Sequence, residues 1–158
     1  MERSKDNFNE LLKFGEEGEK DIALWLINKG YNVLPLYQFE ADQAPKIFGN
    51  EVCVSPDLVV FKEKTCTFVE VKRKTRWIKY KGTVETGCNY STYLHYRKIS
   101  ENTGIKLFMV FKHEERNPLG IYSINVNEKG RYWDGRVNGI KRHKEMYFWP
   151  LESLIKLE

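Results

Sequence analysis

The sequence predicts an α/β fold, helices packed as a sandwich around a central mixed β-sheet. Three observations predict it. The segments run helix, three strands, helix and then more strands, an order that packs helices on a sheet. Ile105 to Lys112 reads IKLFMVFK, a nearly continuous apolar run of the kind buried on both faces. Val59-Val60-Phe61 and Cys66-Thr67-Phe68-Val69 are β-branched and aromatic runs parted by the polar Lys62-Glu63-Lys64-Thr65, which reads as a hairpin.

Taken in order, residues 7–29 read as a helix, with Gly15 and Gly18 as weak points and Gly30 as its stop. Tyr31 to Tyr37 is a first strand, and Pro35 favours a place at the sheet edge. Gln38 to Asn50 is polar and turn-rich, a loop expected over the site. The hairpin follows. Cys88 to Thr103 is expected as the second helix, stopped by Gly104, and leads into the apolar strand. Leu119 to Val126 and Arg131 to Trp133 read as later strands, and Asn138-Gly139 is a hairpin turn. Pro150 to Leu157 is expected as a short closing helix. The strand Met146-Tyr147-Phe148-Trp149 fits a dimer interface or the core equally well.

The composition bounds the function. A chain of 158 residues is expected as one domain, 1–158, burying roughly 70% of its unfolded surface. With 41% apolar and 14% aromatic residues it is globular, not disordered. No stretch approaches the ~18 apolar residues of a membrane span. The start MERSKDNFNELLKF has no apolar signal region, so a cytosolic, non-membrane protein is expected. Cys53, Cys66 and Cys88 show no CxxC spacing, which argues against a disulfide framework or zinc site. His95, His113 and His143 have no metal-ligand spacing either and read as surface or loop residues. A net charge of +4 permits a polyanionic partner, and its distribution says more than its sum.

The hairpin can be folded on paper. If Phe61 pairs with Cys66, Asp57 falls opposite Glu70. Directly opposed side chains sit roughly 4.5–5.5 Å apart, and like charges there destabilise a sheet. At an effective dielectric of about 20, the repulsion is on the order of 3 kcal/mol. A divalent cation between them reverses its sign. Alternation puts Lys72 on the same face as Glu70. On the first helix, 100° per residue sets Glu19 among Ile22, Ala23 and Leu26, the stripe that faces the sheet. A carboxylate there is costly unless paired or metal-bound. Glu17 points the other way and Glu16 lies on the flank. A plain glutamate near a helix start, favoured by the macrodipole, is the alternative reading of Glu19.

Pro56-Asp57 followed by Glu70-Val71-Lys72 resembles the PD-(D/E)XK nucleases, which include type II restriction enzymes, archaeal Holliday-junction resolvases and phage recombination exonucleases. The resemblance implies a restriction endonuclease-like α/β sandwich. It also implies that Asp57 and Glu70 bind Mg²⁺ (Mn²⁺ able to substitute), with help from the Val71 carbonyl. Lys72 would position the attacking water and the phosphate. Glu19, ahead of Gly30-Tyr31-Asn32-Val33 as in the archaeal resolvases, would complete the metal site. A frequent Gln-x-x-x-Tyr arrangement on the second helix is absent here, so Tyr93, Tyr96, Arg97 and Lys98 receive no firm role.

Lys72 to Lys81, KRKTRWIKYK, holds six basic residues and no acidic one. Arg73, Lys74, Arg76, Trp77 and Lys79 are therefore expected along a DNA backbone, charge meeting phosphate and the aromatic ring meeting bases or sugars. A solvated loop is as good a reading for Lys79 and Lys81. The later run Lys141-Arg142-His143-Lys144 is placed on the flank of the same groove. The expected activity is Mg²⁺-dependent endonucleolytic hydrolysis of DNA in recombination or repair, resolvase-like or phage-like, with a homodimer on branched DNA. The alternative is a non-catalytic nucleic-acid-binding module on the same fold.

Overall fold

The structure, a computed structural model, describes residues 16–36, 46–47 and 53–158. The start of the expected first helix, Tyr37 and most of the expected loop at 38–50 lie outside the described residues. Helix α1 runs through 16–28, and Gly30 ends it with a φ of 85°. The strands that follow are β1 (Asn32–Pro35), β2 (Lys46–Ile47), β3 (Cys53–Val54), β4 (Leu58–Lys62), β5 (Thr65–Lys74), β6 (Ile78–Tyr80) and β7 (Thr83–Asn89). Helix α2 (Tyr90–Thr103) leads to β8 (Leu107–His113), β9 (Gly120–Asn125), β10 (Arg131–Trp133), β11 (Arg136–Val137), β12 (Ile140–Lys141), β13 (Met146–Pro150) and β14 (Ile155–Lys156).

The main sheet has the order β1-β4-β5-β8-β9-β14. Among the described residues only β5 and β8 pair in parallel, so the sheet is mixed, as expected. β1 with Pro35 lies on the edge, where a residue lacking an N–H is tolerated. Phe61 pairs with Cys66 in the predicted register. Strand β5 carries the architecture because its side chains alternate between two cores. Val69 and Val71 join Leu58, Val60, Val110 and Ile121 beneath Ile22 and Leu26 of α1. Phe68 faces the other way with Met109 and Phe111, against Tyr93, Tyr96 and Ile99 of α2 and Trp149 of β13.

A second, four-stranded sheet, β10-β13-β7-β6, changes two sequence readings. Cys88 and Asn89 belong to β7 rather than to the helix, which begins at Tyr90. Tertiary packing decides this boundary: a Cβ on Gly87 would stand 2.1 Å from the Tyr147 carbonyl oxygen, so only glycine lets β7 close on β13. Phe148 and Trp149 are buried, so the Met146–Trp149 strand belongs to the core. The expected closing helix is only the 3₁₀ turn Leu151–Ser153. Ile155 and Lys156 then pair with Ser123 and Tyr122, because the open edge of β9 offers backbone hydrogen bonds that a free helix cannot match. The Asn138-Gly139 turn forms as predicted, with both residues at positive φ, the requirement of a tight hairpin. No helix among the described residues is long and apolar enough to cross a membrane.

Candidate active site

Strand pairing ends at Leu58–Val69, and Asp57 sits one residue beyond. There its Oδ2 accepts a 2.7 Å hydrogen bond from the backbone N–H of Val71. This fixes the carboxylate against the next stretch of β5. Glu70 is only 2% exposed. Lys72, on the same face of β5, pairs with its Oε1, while its Oε2 is buried with no hydrogen-bond partner among the described residues. Such an atom costs about 1–3 kcal/mol, more for a charged group.

The electrostatics tie four side chains together. Burial, then the charge of Glu70, holds the Asp57 carboxyl well above its ordinary pKa. Glu19 on α1 is raised in the same way, by burial and then Glu70, with Lys72 and a hydrogen bond to Asp57 acting in opposition. Burial alone would lower Lys72, but Glu70 and Asp57 outweigh it and keep the ammonium charged. Glu19 thus reaches the Asp57–Glu70 end of the sheet from the helix, whereas Glu16 is exposed. Among the described residues no three His, Cys, Asp or Glu side chains are already gathered as a metal-ligand cluster. The donor set still fits a hard cation: all oxygen, mutually repelling, with one orphaned carboxylate oxygen. Val71 lines the adjacent cavity, but its N–H serves Asp57.

Tyr96 belongs to this site although its sequence context assigned it nothing. It is 4% exposed. Burial, and then the charges of Glu70 and Asp57, push its phenol far above the ordinary range, so it stays protonated beside them. A tyrosine on an apolar helix face looks like core from sequence, and this one is both core and neighbour to the carboxylates.

No family profile matches the sequence, and no curated protein sequence matches it. Among solved structures, the Holliday junction resolvase Hjc of Archaeoglobus fulgidus, an archaeal hyperthermophile, aligns over 88% of this chain and 90% of its own, at 12% identity and a TM-score of 0.53. D212, a nuclease from a fusselovirus, aligns over 92% and 86% at 11% identity and a TM-score of 0.46. The chain shares the fold of this archaeal resolvase.

Within this fold, a cavity of about 890 Å³ opens beside Lys72, between the end of β5 and the four-stranded sheet. Lys74, Arg76 and Lys79 line it, and so do His143 and Lys144. The two basic runs, far apart in sequence, therefore share one cleft. Burial, then the nearby Lys72, lowers the Lys74 ammonium to a pKa of about 8. Arg73 lines the cleft too, but it pairs with Glu17 and Glu114, on the alternate side from Lys72. Its role includes docking α1. Trp77 departs most from expectation. Its ring stacks on His113 at 3.7 Å and 7°, and its Nε1 donates to the Pro118 carbonyl. It anchors the basic segment to the main sheet, so a base does not find this face open. His113 is correspondingly buried, 2% exposed, and not the loop residue its spacing implied.

Proposed function

We propose that this protein is a metal-dependent DNA endonuclease acting in recombination or repair. One observation carries the reading: Asp57, Glu70, Lys72 and Glu19 converge at the mouth of a cleft lined by two basic runs. Asp57, Glu70 and Glu19 would hold Mg²⁺, or Mn²⁺, with the Val71 carbonyl as a further oxygen. When bound, the ion activates water and stabilises charge on the phosphoryl oxygens. Val71 N–H orients Asp57 throughout. Lys72, kept charged by its carboxylate neighbours, exchanges its pairing with Glu70 for the scissile phosphate. It then stabilises charge where charge develops. Lys74, Arg76, Lys79 and Lys144 draw the DNA backbone in by counterion release.

The test is cleavage of linear, nicked, flapped and four-way DNA with Mg²⁺. Asp57→Ala, Glu70→Ala and Lys72→Ala should each lose a factor of about 10² or more. Wild-type rates in all three would remove the assignment. The Lys72–Glu70 ion pair supports a second reading, a non-catalytic DNA-binding module in which the lysine has replaced the ion. Calorimetric titration with Mg²⁺ in the presence of DNA separates the two, since the binder shows no metal linkage and no effect of Glu70→Lys.

A further inference from the structure

The cleft differs from a duplex-binding surface. Sites of its volume, about 890 Å³, enclose ligands the size of one or two nucleotides. A duplex instead spreads over roughly 1,000–2,500 Å² of protein surface. The cleft wall also combines what a single strand requires, a cation without a carboxylate partner and an aromatic ring. Lys74 has no carboxylate partner among the described residues; its neighbours are Cys88, Lys72 and the Phe111 ring. Arg131, by contrast, is engaged by the buried Glu85 at 2.7 Å and stacks over Tyr80 at 3.8 Å.

Trp133 lines the same cleft. Its indole N–H is held by the Arg136 carbonyl at 3.2 Å, which fixes the ring. Its aromatic neighbours, His143 and Phe148, lie tilted at 38° and 39° with centroids 5.5 and 6.4 Å away, and neither stacks flat on it. Trp77, already stacked on His113, offers no such face.

We propose that this cleft is a site for an unpaired stretch of DNA beside the scissile position, with a phosphate on Lys74 and a base on Trp133. The inference rests on reading the cleft as the nucleic-acid face of the proposed nuclease, and it narrows the substrate to DNA carrying a single-stranded element, such as a fork, flap or opened junction.

The experiment is fluorescence anisotropy, without divalent metal, on a blunt duplex and on the same duplex with a short single-stranded arm. The wild type should bind the armed DNA about tenfold tighter, the scale of one base–aromatic stack. Trp133→Ala should erase most of that preference while leaving blunt-duplex binding unchanged, and Lys74→Met should weaken binding of the armed DNA several-fold more than binding of the blunt duplex. Trp133→Phe and Lys74→Arg should restore the preference. Equal binding of both DNAs by the wild type overturns the proposal, as does a uniform loss on both DNAs in the variants. Should Trp133→Ala fail to fold in a thermal melt, Lys74→Met against Lys74→Arg decides alone. Arm preference without any Mg²⁺-dependent cleavage sinks the nuclease reading and leaves this one standing. Cleavage without arm preference does the reverse.

Discussion

The backbone N–H of Val71 donates to Oδ2 of Asp57 at 2.7 Å, and this single bond holds two like-charged side chains in register. It places Asp57 just past the last pair of the β4–β5 ladder, where Glu70 is the next residue of β5. The repulsion is held in place by the hairpin rather than relaxed, as the proposed cation site requires.

Asp57→Asn should therefore stabilise the protein while abolishing cleavage. An asparagine oxygen still accepts from Val71 N–H, but the buried charge facing Glu70 disappears. A gain on the order of 1–3 kcal/mol follows from opposed carboxylates at intermediate dielectric. Thermal melting at pH 7 should show a midpoint higher by several degrees. A lower midpoint would mean that Asp57 is a net stabilising ion-pair partner.

Mg²⁺ should raise the melting midpoint of the wild type and leave Asp57→Asn nearly unmoved. Binding to the native state alone stabilises by about 2.7 kcal/mol at a hundredfold excess over the dissociation constant. The readout is independent of catalysis, so a metal-insensitive wild type would count against the ion site itself.

Gly18 sets how closely α1 lies on β5. A Cβ added there would stand 3.1 Å from the Cβ of Arg73, and the same arginine pairs with Glu17 and Glu114. Lys112, its cross-strand neighbour, pairs with Asp21 at 2.6 Å. Gly18→Val should push the helix outward and carry Glu19 with it. Cleavage should fall by about tenfold or more with the melting midpoint lowered modestly. A variant that unfolds outright is replaced by Gly18→Ala, for which a smaller change of the same sign is expected.

Acid should loosen the Trp77 anchor. Burial, then Lys74, depresses the His113 pKa to about 4. The unfolded chain thus binds the proton more readily than the folded one between about 6.5 and 4. Stability is then full above about pH 6.5 and declines as pH falls toward 4, by on the order of 2 kcal/mol. Histidine proton shifts in NMR across that range should give the depressed pKa directly, and Trp77→Phe should weaken the shift. An ordinary titration near 6.5 would contradict the buried stack.

Much of this was legible in the chain because it depends on local pattern. The β4–β5 register follows from two apolar runs and a short polar turn, since a slip of one residue would turn every side chain to the wrong face. The Asn138-Gly139 turn and the Gly30 and Gly104 stops follow from positive φ. Glu19 followed from helical periodicity. The roles of Trp77 and Trp133 did not, because both are tryptophans near basic residues, and only packing separates a ring stacked on His113 from a ring left unstacked. Likewise β7 looked like the start of a helix until its pairing with β13 was in view. Ile155-Lys156 became a strand because β9 had an edge to fill.

By itself, then, the sequence determined a mixed α/β fold and the carboxylate–lysine pattern on one strand end, since both rest on periodicities of two and 3.6 residues. The tertiary structure decided which charges share a space. It joined the Lys72 and Lys144 regions across one cleft, brought Tyr96 against Glu70 and tied Arg73 to α1. Those contacts depend on how the six-stranded sheet, the four-stranded sheet, α1 and α2 stack, and no local spacing along the chain encodes that.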